Sequence, residues 1–446
     1  MSPTNYVLDG QQRLTVIYSC LGAPDSEEGF AAAYDLDKQS FTVKPLQHDP
    51  KIFPLRWMFE TTKLLDFRTA LKSFPEHAAY QQRLDNLISV FSNYRAPVVT
   101  LKDLTIQEIC PIFERINSSG TKLSMFDLMV AATWSHGAFD LNEEAERIAD
   151  SLEDKGFNGI ERDTILKCIT AVKFSGIKKE QVLNLRNMPG KEMDSLVTQT
   201  REALLKTIDL LSTEFKIYSW DFLPYEALVI VLCYVFSKAP NLAGEQMVRL
   251  RQWFWRASFS ERYRVGGEGF VSRDLADVRA FVEQGKGDAK SFGEVGALGK
   301  TSFRIGNSRT RAFALSLAIK QPKNITNGAS IDTAIALSQF NKKQFHHIYP
   351  KGYLASIGEP LDQNSILNVC MLAASENNTI SDSNPMEYLP QCIQQLGPKA
   401  ETVFASNLLP SPQKFDCKTA TYSSFLVERE SILSSYWSAL CDGHVH

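Results

Sequence analysis

Ala227 to Phe236 reads ALVIVLCYVF, ten apolar residues in a row. The run is too short for a bilayer, which takes about 20 residues of helix, and too apolar to leave in water. It reads as a helix that is apolar on every side, and such a helix has to be enclosed by other elements. The residues ahead of it are patterned for helix too. Leu196, Leu204, Ile208, Leu211 and Phe215 approximate a single stripe at the helical period. EQMVRLRQWFWRASF and RTRAFALSLAI continue that period, which dominates from about 140 to 340. The expectation is an α+β protein that is predominantly helical.

At 446 residues the chain exceeds one ordinary core, and two or three domains are the natural outcome. Residues 1–135 read as an α/β module, 136–300 as a helical linker or DNA-contact region, and 301–446 as a third domain. In the first, NYVLDG looks like a short strand closing in an Asp-Gly turn, and QQRLTVIYSCL places Leu14, Ile17, Tyr18 and Leu21 on one helical face. APVVTL (Ala96 to Leu101) is a second strand candidate. The Gly-rich EQGKGDAKSFGEVGALGK (283–300) reads as a loop or partly mobile connector, and PKNITNGAS (322–330) as another break. Short strands with helix are expected around 345–372. With 44% hydrophobic and 22% charged residues the chain is globular. A net charge of -3 excludes a global basic field, so any nucleic-acid site must be a local patch. The 8 cysteines form no CxxC pair, which excludes a zinc knuckle or ribbon and suggests reduced thiols. No signal peptide is visible, and the expected setting is cytoplasmic, with no membrane partner.

Four stretches carry chemistry. Asp9-Gly10-Gln11-Gln12-Arg13 sits where a strand turns into a helix. Gly10 permits a turn with positive φ, the amides at a helix start favour an anion, and Arg13 can add a bidentate phosphate contact. From these letters alone a solvated turn with a helix-start arginine is the commoner outcome, and QQRL recurs at Gln81–Leu84 inside a plain helical pattern. FERINSSGTKLSMFDL (Phe113 to Leu128) joins a polar loop, Asn117 to Gly120, to a capping box made by Ser124 and Asp127. His346 and His347 are adjacent in a chain with only 7 histidines. On a strand they face opposite sides, so a core can absorb only one of them. Between Arg249 and Arg279 seven arginines stand against four acids, with Trp253, Phe254 and Trp255 among them. Either Arg251, Arg256, Arg262 and Arg264 face DNA phosphates and an aromatic takes a base, or the arginines form a solvated helix face over a core tryptophan. His48, His77 and His136 have no partners at useful spacing.

The first two motifs together resemble the ParB-like nucleotide-binding module of the GmrSD-type restriction proteins, marked by DGQQR-x-T and F-x-R-h-N-x-x-G. Here these are Asp9 to Arg13 with Thr15, and Phe113, Arg115, Asn117 and Gly120, in the family's order. The resemblance implies an NTP site built from Asp9, Gly10, Gln11, Gln12, Arg13, Arg115 and Asn117, with GTP, ATP and CTP all open. Family members usually carry an upstream Tyr/Pro-rich strand and another Gln-Arg. With Met1 eight residues ahead of Asp9, the module reads as truncated.

The segment HHIYP, followed by NSILNVCML and ENNTISDSNPMEYL, resembles the HNH-like, ββα-metal nuclease domain that accompanies this module. That likeness implies His346 as a metal ligand and His347 as general base. It also implies Asn368 as the residue that orients the His347 ring, and Asn377 as a second ligand with Asn378 the near alternative. One nitrogen and one amide oxygen make a weak site suited to hydrated Mg²⁺ or Mn²⁺. The expected function is an NTP-regulated, metal-dependent DNA endonuclease of the type IV, modification-dependent restriction class. Its partner would be modified phage DNA, NTP turnover and homo-oligomerisation remaining open. The rivals are a non-catalytic DNA-binding or regulatory component, and an NTPase switch whose ββα element is structural.

Overall fold

The computed structural model describes residues 7, 10–22, 32–43, 49–100, 124–133, 139–264, 267–304, 306–338, 344–373, 375–376 and 380–444. Helix makes up 63% of it. The chain divides into two units, Met1–Gly120 and Thr121–His446. No helix among the described residues is long and apolar enough to cross a membrane.

In the first unit, helix α1 (Gln11–Leu21) precedes strands β1 (Ala32–Asp35), β2 (Ser40–Val43) and β3 (Ile52–Pro54). The strands form an antiparallel sheet in the order β2-β1-β3, with Tyr34 opposite both Phe41 and Phe53. Helices α2 (Thr61–Leu71) and α3 (His77–Asn93) complete a small core of Leu36, Phe53, Phe67, Leu71, Tyr80 and Leu84. The second QQRL lies inside α3, where Leu84 is buried and Arg83 donates to the Leu36 carbonyl at 2.7 Å. That copy is structural. The α1 face behaves differently from its pattern, since Leu14, Ile17 and Tyr18 are 52%, 50% and 58% exposed. APVVTL also departs from expectation. Residues 96–100 carry no strand, and Val98 and Val99 stand in solvent. β-branched composition gives a segment the right surface but not the partner edge a ladder needs. Of NYVLDG only Val7 and Gly10 are among the described residues.

In the second unit the apolar run is helix α6, and the order leading to it is α4 (Arg162–Phe174), α5 (Gly190–Thr213), α6 (Glu226–Lys238). Every residue from Leu228 to Phe236 is buried, because α4, α5 and then α8 enclose α6. Next come α7 (Gly244–Phe259), α8 (Gly267–Gln284) and α9 (Ser308–Ile319). Strands β4 (Phe345–His347) and β5 (Val369–Met371), α10 (Pro385–Leu396) and α11 (Tyr422–Cys441) follow. The border expected near residue 300 is crossed by packing. Helix α11 lies along α7, and Trp437 stacks on Phe259 with centroids 3.8 Å apart and planes 7° from parallel. The Gly-rich 283–300 segment is held rather than loose. Phe292 and Leu298 are buried, and Glu430 of α11 accepts from the Leu298 and Gly299 amides at 3.1 and 2.8 Å. At Gly293 φ is 134°, and a Cβ there would come within 2.1 Å of Ser260 Oγ. The described cysteines are all free thiols.

Candidate functional site

The histidine pair lies on β4, antiparallel to β5, with His346 opposite Cys370 and His347 opposite Val369. The pleat separates the two rings as adjacent strand positions must. His346 is 4% exposed, whereas His347 is half-buried and keeps access to solvent. Asn364 sets the state of the His347 ring. Its Nδ2 donates to the Phe303 carbonyl at 2.6 Å, which turns its Oδ1 toward the imidazole. That oxygen lies 2.9 Å from His347 Nε2, so Nε2 carries the proton and donates. Nδ1 is then the lone-pair nitrogen. Burial pushes the His347 pKa below the ordinary 6.5, against the Asn364 hydrogen bond, and nearby Lys351 adds to the lowering while Asp362 opposes it. The ring is neutral at pH 7, with one basic nitrogen, beside an exposed lysine.

Asn368 does something other than expected. It is fully buried and forms no bond to His347. Its Oδ1 accepts from the Tyr349 amide at 2.8 Å, and its Nδ2 donates to the carbonyls of Tyr349 and Gln363 at 2.9 and 3.0 Å. These three bonds clamp the chain leaving β4 to the segment entering β5. The amide is spent on backbone, so orienting the ring falls to Asn364, four residues earlier. Both asparagines stand in NSILNVCML, and no letter pattern distinguishes them. Only the return of Phe303 beside Asn364 does so, with the Phe303 amide donating to the Asn364 carbonyl at 2.6 Å.

Asn377 and Asn378 lie outside the described residues. Among those described, no group of three or more His, Cys, Asp or Glu side chains is placed to hold a metal ion. Cys370, across from His346, is fully buried and its thiol is pushed up to about 12, so it stays protonated and adds no thiolate donor. Of the two expected ligands, His346 is buried with its Nε2 out of solvent and Asn377 is not described, so the described residues by themselves form no cation site.

The arginine cluster requires correction. Trp253, Phe254 and Trp255 are core residues, 0%, 0% and 1% exposed, so none can stack on a base. Arg262 forms a two-point ion pair with Asp274, both contacts at 2.7 Å, and Asp274 also accepts from the Tyr263 hydroxyl at 2.5 Å. Arg251 reaches Glu214 at 2.8 Å and the Gly443 carbonyl, and Arg256 reaches Asp442 at 3.1 Å and the Cys441 carbonyl. Those two tie α7 to the end of α11 and are 14% and 11% exposed. Three of the four arginines are therefore committed to internal partners. Arg264 alone reaches out, with its side chain 65% exposed and Glu261 at 3.6 Å.

At the N-terminal motif, Gly10 takes the left-handed conformation its position demands, φ 86°, and caps α1. The first turn of α1 carries no acid and no side-chain cap, and the Arg13 guanidinium folds back to within 3.5–3.7 Å of where a Gly10 Cβ would stand. Gln12 is exposed, and the Gln11 backbone opens the helix. Asp9, Phe113, Arg115, Asn117 and Gly120 lie outside the described residues. Ser124 and Asp127 form the expected box, with the Asp127 amide donating to Ser124 Oγ at 3.2 Å and the Ser124 amide to Asp127 Oδ2 at 3.0 Å.

Comparison with known proteins supports the likeness of the N-terminal part to GmrSD restriction proteins. Residues 2–134 match the family model described as the GmrSD restriction endonuclease, N-terminal domain. Over 448 aligned positions the chain is 23% identical to an uncharacterized protein of Methanocaldococcus jannaschii, covering 88% of this chain and 73% of the relative.

Proposed function

We propose that this chain is a metal-dependent DNA endonuclease of the modification-dependent restriction class, gated by a nucleoside triphosphate bound at its N-terminal module. The observation that carries the reading is the His347 ring. It is neutral at pH 7, held in one tautomer by Asn364 with Nδ1 as its lone-pair nitrogen, and only half-buried. Its counterpart is the N-terminal match to a restriction-endonuclease domain.

Phosphodiester hydrolysis needs a base for the attacking water. His347 Nδ1 takes the proton as the water oxygen bonds to phosphorus and the P–O3′ bond breaks. The imidazolium that forms keeps its Nε2–H bond to Asn364, which holds the ring through the transfer. Lys351 places positive charge near the anionic phosphate. A Mg²⁺ or Mn²⁺ ion held through His346 and Asn377 would supply charge neutralisation at the scissile phosphate and the departing oxygen. At the other end, Arg13 and the amides following Gly10 are the anion-binding groups of the nucleotide module, with Asp9, Gln11, Gln12, Arg115 and Asn117 as its further residues.

The test is cleavage of modified and unmodified plasmid DNA in Mg²⁺ or Mn²⁺, with and without each of ATP, GTP and CTP. Linearisation or nicking that requires the cation and changes with an NTP supports the proposal. Intact DNA alongside NTP turnover would assign the chain to a nucleotide switch, and DNA binding without either activity to a regulatory component.

A further inference from the structure

An open cleft of about 630 Å³ in the second unit is lined by Tyr225, Arg264, Arg304, Asn307 and Ser308, among others. Its polar groups point to an anion. The Arg264 side chain is largely exposed, with its Glu261 contact at the loose distance of 3.6 Å. Arg304 is exposed and has no ion pair among the described residues. Ser308 Oγ donates to the Tyr225 hydroxyl at 2.5 Å. Behind Ser308, Arg309 is 9% exposed, donates to the Gly296 carbonyl, and leaves its Nε without a hydrogen-bond partner among the described residues. Arg264 and Arg309 act on the Tyr225 hydroxyl electrostatically, and Glu261, the partner of Arg264, acts on it in the opposite sense. Two exposed guanidinium groups, Arg264 and Arg304, with the Ser308 and Tyr225 hydroxyls, suit phosphate oxygens.

The cleft is tied to the histidine site through backbone. Arg304 follows Phe303, whose amide and carbonyl bond to Asn364, the residue that holds the His347 ring. Thr301 accepts from the Ile366 amide at 2.9 Å, and Ser302 bridges Ser365, so the 301–304 stretch runs antiparallel to the chain that enters β5. A ligand carrying one isolated phosphate group has no reason to need this continuity. A polymer of phosphates passing His347 does, because its neighbouring phosphates must be held on the same rigid stretch.

We infer that the Arg264–Arg304 cleft is the seat of DNA backbone phosphates flanking the bond presented to His347, a sequence-independent anchor for the substrate strand. The inference rests on the nuclease reading above for the meaning of His347, but its own test is a binding measurement. Fluorescence anisotropy of a labelled duplex is followed over a salt series, in EDTA so that no cleavage occurs, for the wild type, for Arg264→Ala/Arg304→Ala, and for Arg264→Lys/Arg304→Lys. Each phosphate contact contributes about 0.9 to the slope of log K against log salt. The alanine pair should therefore lower the slope by about 1.8 and weaken binding of all sequences alike, whereas the lysine pair keeps the slope. Circular dichroism confirms that both fold. An alanine pair that binds DNA like the wild type overturns the inference. So does a pair that loses only ATP, GTP or CTP binding in calorimetry, which would make the cleft a nucleotide site. If the slope changes as expected but the wild type never cuts DNA in Mg²⁺ or Mn²⁺, the anchor stands and the nuclease reading fails. If the wild type cuts and the slope is unmoved, only the anchor fails.

Discussion

Replacing His347 and its partner Asn364 separates the base from the residue that positions it. His347→Ala removes Nδ1, and cleavage should fall by about 10²–10⁴-fold, the usual contribution of a general base. Asn364→Ala leaves the base in place but removes the 2.9 Å bond that fixes its tautomer. A neutral hydrogen bond in a partly buried site contributes about 1 kcal/mol net, and about 1.4 kcal/mol is tenfold in rate, so the loss should be roughly fivefold. The pH profile carries the sharper test. The base must be unprotonated, and burial holds its pKa below 6.5, so the rate should be flat near neutrality and fall on the acid side with its midpoint below 6.5. Because the Asn364 bond favours the protonated ring, Asn364→Ala should move that midpoint further down. Asn364→Asp sets a carboxylate beside Nε2, stabilises the imidazolium, and should move the midpoint up by about one pH unit or more. Single-turnover cleavage of a labelled duplex between pH 5 and 8.5 measures all three. A wild-type rate in His347→Ala, or an acid limb that stays put in both Asn364 variants, refutes the assignment.

Asp274→Ala strands the Arg262 guanidinium and the Tyr263 hydroxyl in the core, and should cost about 3–5 kcal/mol in urea unfolding; a loss under about 1 kcal/mol would mean the pair is wetter than its burial indicates. Asn368→Ala removes three bonds between the two strand connections and should lower stability by about 2–4 kcal/mol, with His347 misplaced as a consequence. Unchanged melting by calorimetry would contradict the clamp. Arg13→Ala should weaken NTP binding by roughly 1.5–3 kcal/mol while circular dichroism stays the same. Isothermal calorimetry that detects no NTP binding by the wild type would remove the nucleotide site altogether.

Local chemistry was sufficient for several elements. An uncharged apolar run had to become an enclosed helix, and Leu228 to Phe236 are buried for that reason. Adjacent histidines on a strand had to part, and His346 went into the core while His347 stayed half open. Gly10, the residue that opens α1, took the positive φ that glycine adopts without steric cost. Partner choice was decided elsewhere. Arg251, Arg256 and Arg262 look like a basic surface in one dimension. Their counter-groups are Glu214, residues of the 441–443 segment, and Asp274, most of them far off in sequence, and only folding brings these within 3.2 Å. Val98 and Val99 had strand composition but pair with no strand among the described residues. Asn368 and Asn364 are the same residue type four positions apart, and their roles diverge because Phe303 returns beside one and Tyr349 beside the other. Periodicity and turn chemistry are properties of neighbours along the chain, so sequence carries them. A hydrogen-bond partner 12 to 192 residues away is a property of the packed core, and only the tertiary structure supplies it.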